Sequence, residues 1–127
     1  MSLRILVVDD NRDVVSITME MLRAEGYDAQ PCYAAVDVLQ RMREYTPDVV
    51  LLDIALPSMS GWDVAREIRR VMPKSPVVLI GISGEYTKGA DRVLSEMVGF
   101  NYYLLKPFDK RVLLTLLEKV KRPGRVG

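Results

Sequence analysis

The sequence predicts an α/β fold: a parallel sheet with helices covering both faces. Three observations point there. Short apolar, β-branched runs alternate along the chain with longer segments of helical periodicity. Three of the runs, Leu3–Val8 apart from Arg4, Val49–Leu52 and Val77–Ile82, are apolar without alternation, as strands buried on both faces must be. The chain has 127 residues, 49% apolar and 28% charged, which is the size and balance of one globular domain.

Each element has its own signal. The first strand, Leu3–Val8, runs into Asp9-Asp10. Asn11 is placed to cap a helix whose apolar stripe is Val14, Ile17, Met21 and Leu22, and Gly26 to end it. The second strand, Asp28–Cys32, is more polar and carries Pro31, which assigns it to an edge of the sheet. Ala35, Val38, Leu39 and Met42 share the face of a second helix, and Thr46-Pro47-Asp48 turns the chain into the third strand, Val49–Leu52. Val64, Ile68 and Val71 mark a third helix, closed by Pro73 and Pro76 before the fourth strand, Val77–Ile82. A weaker stripe of Val93, Leu94 and Met97 predicts a fourth helix. Tyr102–Leu105 is the fifth strand. Asp109 can cap a last helix with Val112, Leu113, Leu116, Leu117 and Val120 on one face. Residues 1–122 are expected to form the domain, and 123–127 a tail or the start of a linker.

Composition excludes several function classes. The 18 basic and 17 acidic residues leave a net charge of +1, far from the basic excess that coating nucleic acid or an anionic membrane requires. The single cysteine, Cys32, forms no internal disulfide, which points to a reducing, cytoplasmic setting. The absence of histidine removes His-based acid–base catalysis, the usual triads and most zinc sites. No apolar run approaches the length of a membrane span.

In an open parallel sheet the site lies beyond the carboxyl ends of the strands. The first strand ends in Asp9-Asp10, the third in Asp53, the fourth in Ser83-Gly84 and the fifth in Lys106-Pro107. Three carboxylates, a hydroxyl and an ammonium therefore converge on one rim. Two like charges at about 4 Å repel by about 4 kcal/mol at an effective dielectric near 20. Such a cluster must protonate, bind a cation or sacrifice stability. Mg²⁺ is the natural hard cation for oxygen ligands, and with three carboxylates and one lysine it makes a neutral site. That site can accept a dianionic phosphoryl group, with one carboxylate as nucleophile. Taken singly, Asp9-Asp10 could equally cap the first helix, Ser83-Gly84 could be a turn and Lys106 a surface lysine. The joint placement carries the case.

Nearly the whole chain resembles the receiver domain of two-component response regulators. The matching stretches are Ile5–Asn11, Pro47–Pro57 with Ser60-Gly61-Trp62, Val78–Gly84 and Gly99–Asp109. The resemblance implies a flavodoxin-like, doubly wound (βα)5 fold, with strand order 2-1-3-4-5 and a cis peptide between Lys106 and Pro107. It also implies the site roles. Asp53 would accept the phosphoryl group. Asp9, Asp10, Asp53 and the Ala55 backbone carbonyl would bind Mg²⁺. Ser83, Lys106 and the backbone N–H groups of Ala55 and Gly84 would hold phosphoryl oxygens, and Ser83 with Tyr103 would form the switch. Leu56 stands where the family usually has methionine, and Ser83 where threonine is commoner. Gly81–Glu85 and Gly99–Tyr103 most resemble receivers of hybrid sensor kinases.

The function so implied is a phosphorelay module that takes a phosphoryl group from a phosphohistidine on a sensor histidine kinase or phosphotransfer domain and changes its surface. The implied partners include a second copy across the fourth helix, fifth strand and fifth helix; direct contact with nucleic acid or membrane is not expected. Two side chains, Ala55 and Glu85, would flank the path of hydrolytic water, which suggests slow to intermediate loss of phosphate. An alternative is a pseudo-receiver that docks proteins without phosphate. An aspartate-nucleophile phosphatase, the enzyme reading, needs an acid where Ala55 stands. A nucleotide or flavin site needs glycines where Asp9–Arg12 stands.

Overall fold

The computed structural model describes residues 3–84 and 98–121. The elements run β1 (Arg4–Val8), α1 (Arg12–Ala24), β2 (Asp28–Cys32), a 3₁₀ turn (Ala35–Asp37), α2 (Val38–Tyr45), β3 (Val49–Asp53), α3 (Gly61–Val71), β4 (Val78–Ser83), β5 (Tyr102–Leu105) and α4 (Lys110–Lys121). The predicted helix at Val93–Met97 and the predicted tail at 123–127 lie outside the described residues. The five strands form one parallel sheet in the order β2-β1-β3-β4-β5, the order the resemblance implied. Strand boundaries differ from the sequence reading by a residue at several ends; Asp53 and Ser83 belong to the last rungs of β3 and β4 rather than to the loops after them.

The continuous apolar strands are explained by two cores. Leu6, Val8, Val50, Leu52 and Leu79 face one side and pack on Val38, Met42, Val64 and Ile68 of α2 and α3. Ile5, Val7, Val49, Leu51, Val78 and Ile80 face the other and pack on Val15, Leu22, Leu113 and Leu117 of α1 and α4. Alternate residues of one strand thus enter different cores, so no position is left for a polar side chain until the strand ends. β2 pairs only with β1 and is partly exposed, in keeping with the edge position that Pro31 predicted.

The caps follow the sequence signals. The Asn11 side chain accepts hydrogen bonds from the N–H groups of Asp13 and Val14 at 3.0 and 3.1 Å. Gly26, at φ +89°, turns the chain out of α1. The Ser60 hydroxyl caps α3 by accepting from the Asp63 N–H. Asp109 accepts from the Arg111 N–H at 2.8 Å at the start of α4. Helix α2 starts later than its apolar stripe, because Ala35–Asp37 form a 3₁₀ turn first, and it ends at Thr46, which takes the left-handed conformation at φ 52°.

One close approach positions the site. The Gly61 N–H donates to the Ile54 carbonyl at 2.7 Å. A Cβ at Gly61 would lie 2.6 Å from the Asp53 carbonyl oxygen and 2.7 Å from the Ile54 Cα, so only glycine lets α3 begin against the end of β3. Gly61→Ala is expected to destabilise the domain by about 2–3 kcal/mol, since backbone rather than a flexible side chain must give way. Chemical denaturation checks this, and a loss below about 0.5 kcal/mol would show that the contact relaxes freely.

Candidate functional site

The rim at the carboxyl ends of the strands holds the polar groups that the sequence placed there. Asp9, Asp53 and Ser83 are the buried polar residues among those described. Asp9 follows β1, and its N–H donates to the Cys32 carbonyl at 3.1 Å, so the ladder between β1 and β2 holds it in place. Its carboxylate accepts from the Asn11 N–H at 3.0 Å. Asp53 is the last residue of β3, and its carboxylate accepts from the Ala55 N–H at 3.0 Å. Asp10 is exposed beside them. One carboxylate oxygen from each of Asp9, Asp10 and Asp53 falls within a set whose members all lie within 4.8 Å of one another.

Lys106 reaches this group from beyond β5. Its Nζ lies 3.2 Å from Asp9 and 3.6 Å from Asp53, and its side chain is 30% exposed. The peptide between Lys106 and Pro107 is cis, as the resemblance implied. The Lys106 N–H donates to the Ser83 carbonyl at 2.6 Å, which brings the ends of β4 and β5 level. Ser83 is buried at the end of β4, and Gly84, exposed, follows it. Ala55 is exposed, with its N–H turned onto Asp53. Tyr103 lies half-buried two rungs below the rim, stacked on Trp62 with ring centres 6.0 Å apart. Glu85 lies outside the described residues.

The electrostatics follow from this geometry. Burial is the main force raising the Asp53 carboxyl above its ordinary range; the Ala55 N–H pulls it down, the Asp9 charge pushes it up and Lys106 pulls it down again. One lysine among three carboxylates leaves two negative charges uncompensated. The donors are all oxygens, a set that fits a hard divalent cation such as Mg²⁺ and not a thiolate- or imidazole-seeking metal.

The model of the response regulator receiver domain family matches residues 5–118. The chain belongs to this family. Receiver domains are signalling modules of two-component systems, and they interact with histidine kinases or phosphotransfer proteins. Solved structures agree over nearly the full length. A CheY-like response regulator receiver domain protein from Methanospirillum hungatei is 29% identical, with a TM-score of 0.83 over 94% of each chain. The signal receiver domain of a LuxO repressor protein from Vibrio parahaemolyticus is 25% identical, with a TM-score of 0.82 over 95% of this chain and 94% of that one. The BeF3-activated receiver domain of DrrB, a Thermotoga maritima protein, is 25% identical, with a TM-score of 0.81 over 94% and 97%.

Three features of this receiver domain escaped the sequence reading. Trp62 of α3 stacks on Tyr103 and meets Phe100 edge-on at 5.8 Å. Arg69 of α3 donates to the carbonyls of Val77 and Gly99 and to the Asn101 side chain, tying the helix to the strands on either side of residues 85–97. Arg12 lies over the Tyr33 ring. Glycines at 61 and 99 were the available signals for the close approaches; nothing in the spacing pairs Arg12 with Tyr33.

Asp53→Asn is expected to stabilise the metal-free domain near neutral pH by about 1–3 kcal/mol, by removing buried like charge. An acid whose folded pKa is raised costs stability above that pKa, and the cost fades as pH falls through it toward the unfolded value. The advantage of the variant should therefore shrink as pH is lowered toward the ordinary carboxylate range. Thermal melts of both proteins without metal, across that range, check this; a wild type more stable than the variant at neutral pH would overturn the repulsion argument.

Proposed function

We propose that this receiver domain accepts a phosphoryl group on Asp53 in a Mg²⁺-dependent reaction and thereby changes its interaction surface. The observation that carries the reading is the set of three carboxylates within 4.8 Å, two of them bridged by one lysine. Asp9, Asp10, Asp53 and the Ala55 carbonyl would hold Mg²⁺, which when bound neutralises phosphoryl oxygens. The Asp53 carboxylate, kept from water by burial, is the nucleophile. Lys106 keeps a positive charge beside the acceptor oxygen and is free to shift from Asp53 to a phosphoryl oxygen while retaining Asp9. The N–H groups of Ala55 and Gly84 and the Ser83 hydroxyl complete the cradle for the remaining oxygens. The Ala55 N–H already faces the Asp53 carboxylate, so it can pass to a phosphoryl oxygen with little rearrangement.

The donor is a phosphohistidine on a sensor histidine kinase or a phosphotransfer domain. Ser83 and Tyr103 are the switch pair, and Trp62, packed on Tyr103, senses its position. Leu105 of β5 and Val112 of α4 are exposed apolar side chains on the face assigned to a homodimer. No helix among the described residues is long and apolar enough to cross a membrane.

Incubation with Mg²⁺ and acetyl phosphate is expected to add the mass of one phosphoryl group, read by intact-mass spectrometry. Chelating the metal or introducing Asp53→Asn should abolish the adduct. An adduct that persists in either case overturns the assignment. The phosphorylated protein should lose its phosphate slowly to moderately, because the Ala55 methyl cannot orient water. Ala55→Asn is expected to change the decay rate by more than about twofold; a smaller effect, well below 1 kcal/mol of barrier, would show that position 55 does not control hydrolysis.

A further inference from the structure

Arg12 opens α1, two residues beyond Asp10. A cation there meets the positive end of the helix dipole, so helix formation does not account for it. Its guanidinium carbon lies 4.0 Å from the centre of the Tyr33 ring, against 5.3 and 5.7 Å in the Lys121–Tyr27 and Arg4–Tyr45 contacts. Tyr33 directly follows Cys32, whose carbonyl accepts from the Asp9 N–H. Tyr33 thus leaves the sheet from β2, next to the strand that ends in Asp9, while Lys106 reaches the carboxylates from beyond β5. The two cations are used differently. Lys106 is engaged by Asp9 and Asp53; Arg12 is exposed and makes no ion pair or hydrogen bond among the described residues. A guanidinium seated on an aromatic face keeps its N–H edge directed outward in its own plane, ready to grip a carboxylate with two parallel hydrogen bonds.

We propose that Arg12, seated on Tyr33, is a specificity-determining residue that receives the leaving carboxylate of an acyl phosphate donor. The inference rests on the phosphotransfer reading above. In the step, an Asp53 carboxylate oxygen bonds to phosphorus, the bond from phosphorus to the acyl oxygen breaks, and its electron pair leaves with the acyl carboxylate. No proton moves, since one carboxylate attacks and another departs. In-line displacement puts the leaving oxygen opposite Asp53; Arg12, two residues beyond Asp10 of the carboxylate cluster, is among the described residues the cation at that rim not already engaged by the acids. A donor that releases an amine gives Arg12 no anion to hold.

The test compares initial rates of Asp53 phosphorylation by acetyl phosphate and by phosphoramidate, using the full chain with Mg²⁺. Arg12→Ala is expected to slow acetyl phosphate about fivefold to tenfold and to leave phosphoramidate within about twofold. Arg12→Lys, which keeps the charge but not the fork, should fall between. Tyr33→Leu should reproduce part of the loss, and Tyr33→Phe, which keeps the ring face, should match wild type. Equal slowing with both donors would show a purely structural or general electrostatic role and overturn the inference, as would no slowing with either. A wild type modified by phosphoramidate alone also overturns it. If neither donor modifies wild type, the phosphotransfer reading falls and the inference with it; if both do and Arg12→Ala does not distinguish them, only the inference falls.

Discussion

Three carboxylates held against one another at the end of a buried sheet are the constraint on which this domain is organised. Asp9 and Asp53 are each nine-tenths buried or more, and with Asp10 they crowd within 4.8 Å. An isolated chain would spread these charges apart. The fold does not allow it, because β1 and β3 pair residue by residue from Ile5–Val49 to Val8–Leu52, and their side chains fill both cores. The sheet gains more from burying those strands than the repulsion at their ends takes away. Lys106 relieves part of the strain by reaching two of the acids, and backbone N–H groups at Asn11 and Ala55 relieve more. What remains is a negatively charged site whose oxygen donors suit a hard cation.

The rest of the molecule keeps that rim level. Glycine at 61 lets α3 start directly on the Asp53 backbone, so the helix and the site share a boundary. At 81 a Cβ would lie 3.1 Å from the Phe100 ring and 3.2 Å from the Ile54 side chain, so the missing side chain makes room for both. Trp62, Phe100 and Tyr103 then form one aromatic group that joins α3 to β5 across β4. At the opposite end of the sheet Arg69 holds carbonyls before β4 and before β5. Burial draws its guanidinium below the ordinary value, and it meets backbone carbonyls and an amide rather than a carboxylate. The ends of β4 and β5, and hence Ser83 and Lys106, are set by contacts at both ends of the strands.

The chain by itself determined the architecture. Apolar runs without alternation cannot be half-exposed strands, so Leu3–Val8 (apolar from Ile5 on), Val49–Leu52 and Val77–Ile82 had to be central, and Pro31 had to lie at an edge. Period-3.6 stripes and local caps at Asn11 and Asp109 fixed the helices, because these signals act over a few residues. The rule that sites lie beyond the carboxyl ends of strands gathered Asp9, Asp10, Asp53, Ser83 and Lys106 from positions nearly a hundred residues apart. Only the tertiary structure decided how those residues meet. That Lys106 bridges Asp9 and Asp53, that Asp9 and Asp53 are buried while Asp10 is exposed, and that Trp62 packs on Tyr103 depend on register and on the closeness of backbones that glycine permits. Arg12 over Tyr33 is the clearest case: each residue reads alone as an ordinary surface side chain. Such contacts join elements distant along the chain through side-chain directions, and no local periodicity encodes a direction relative to another element.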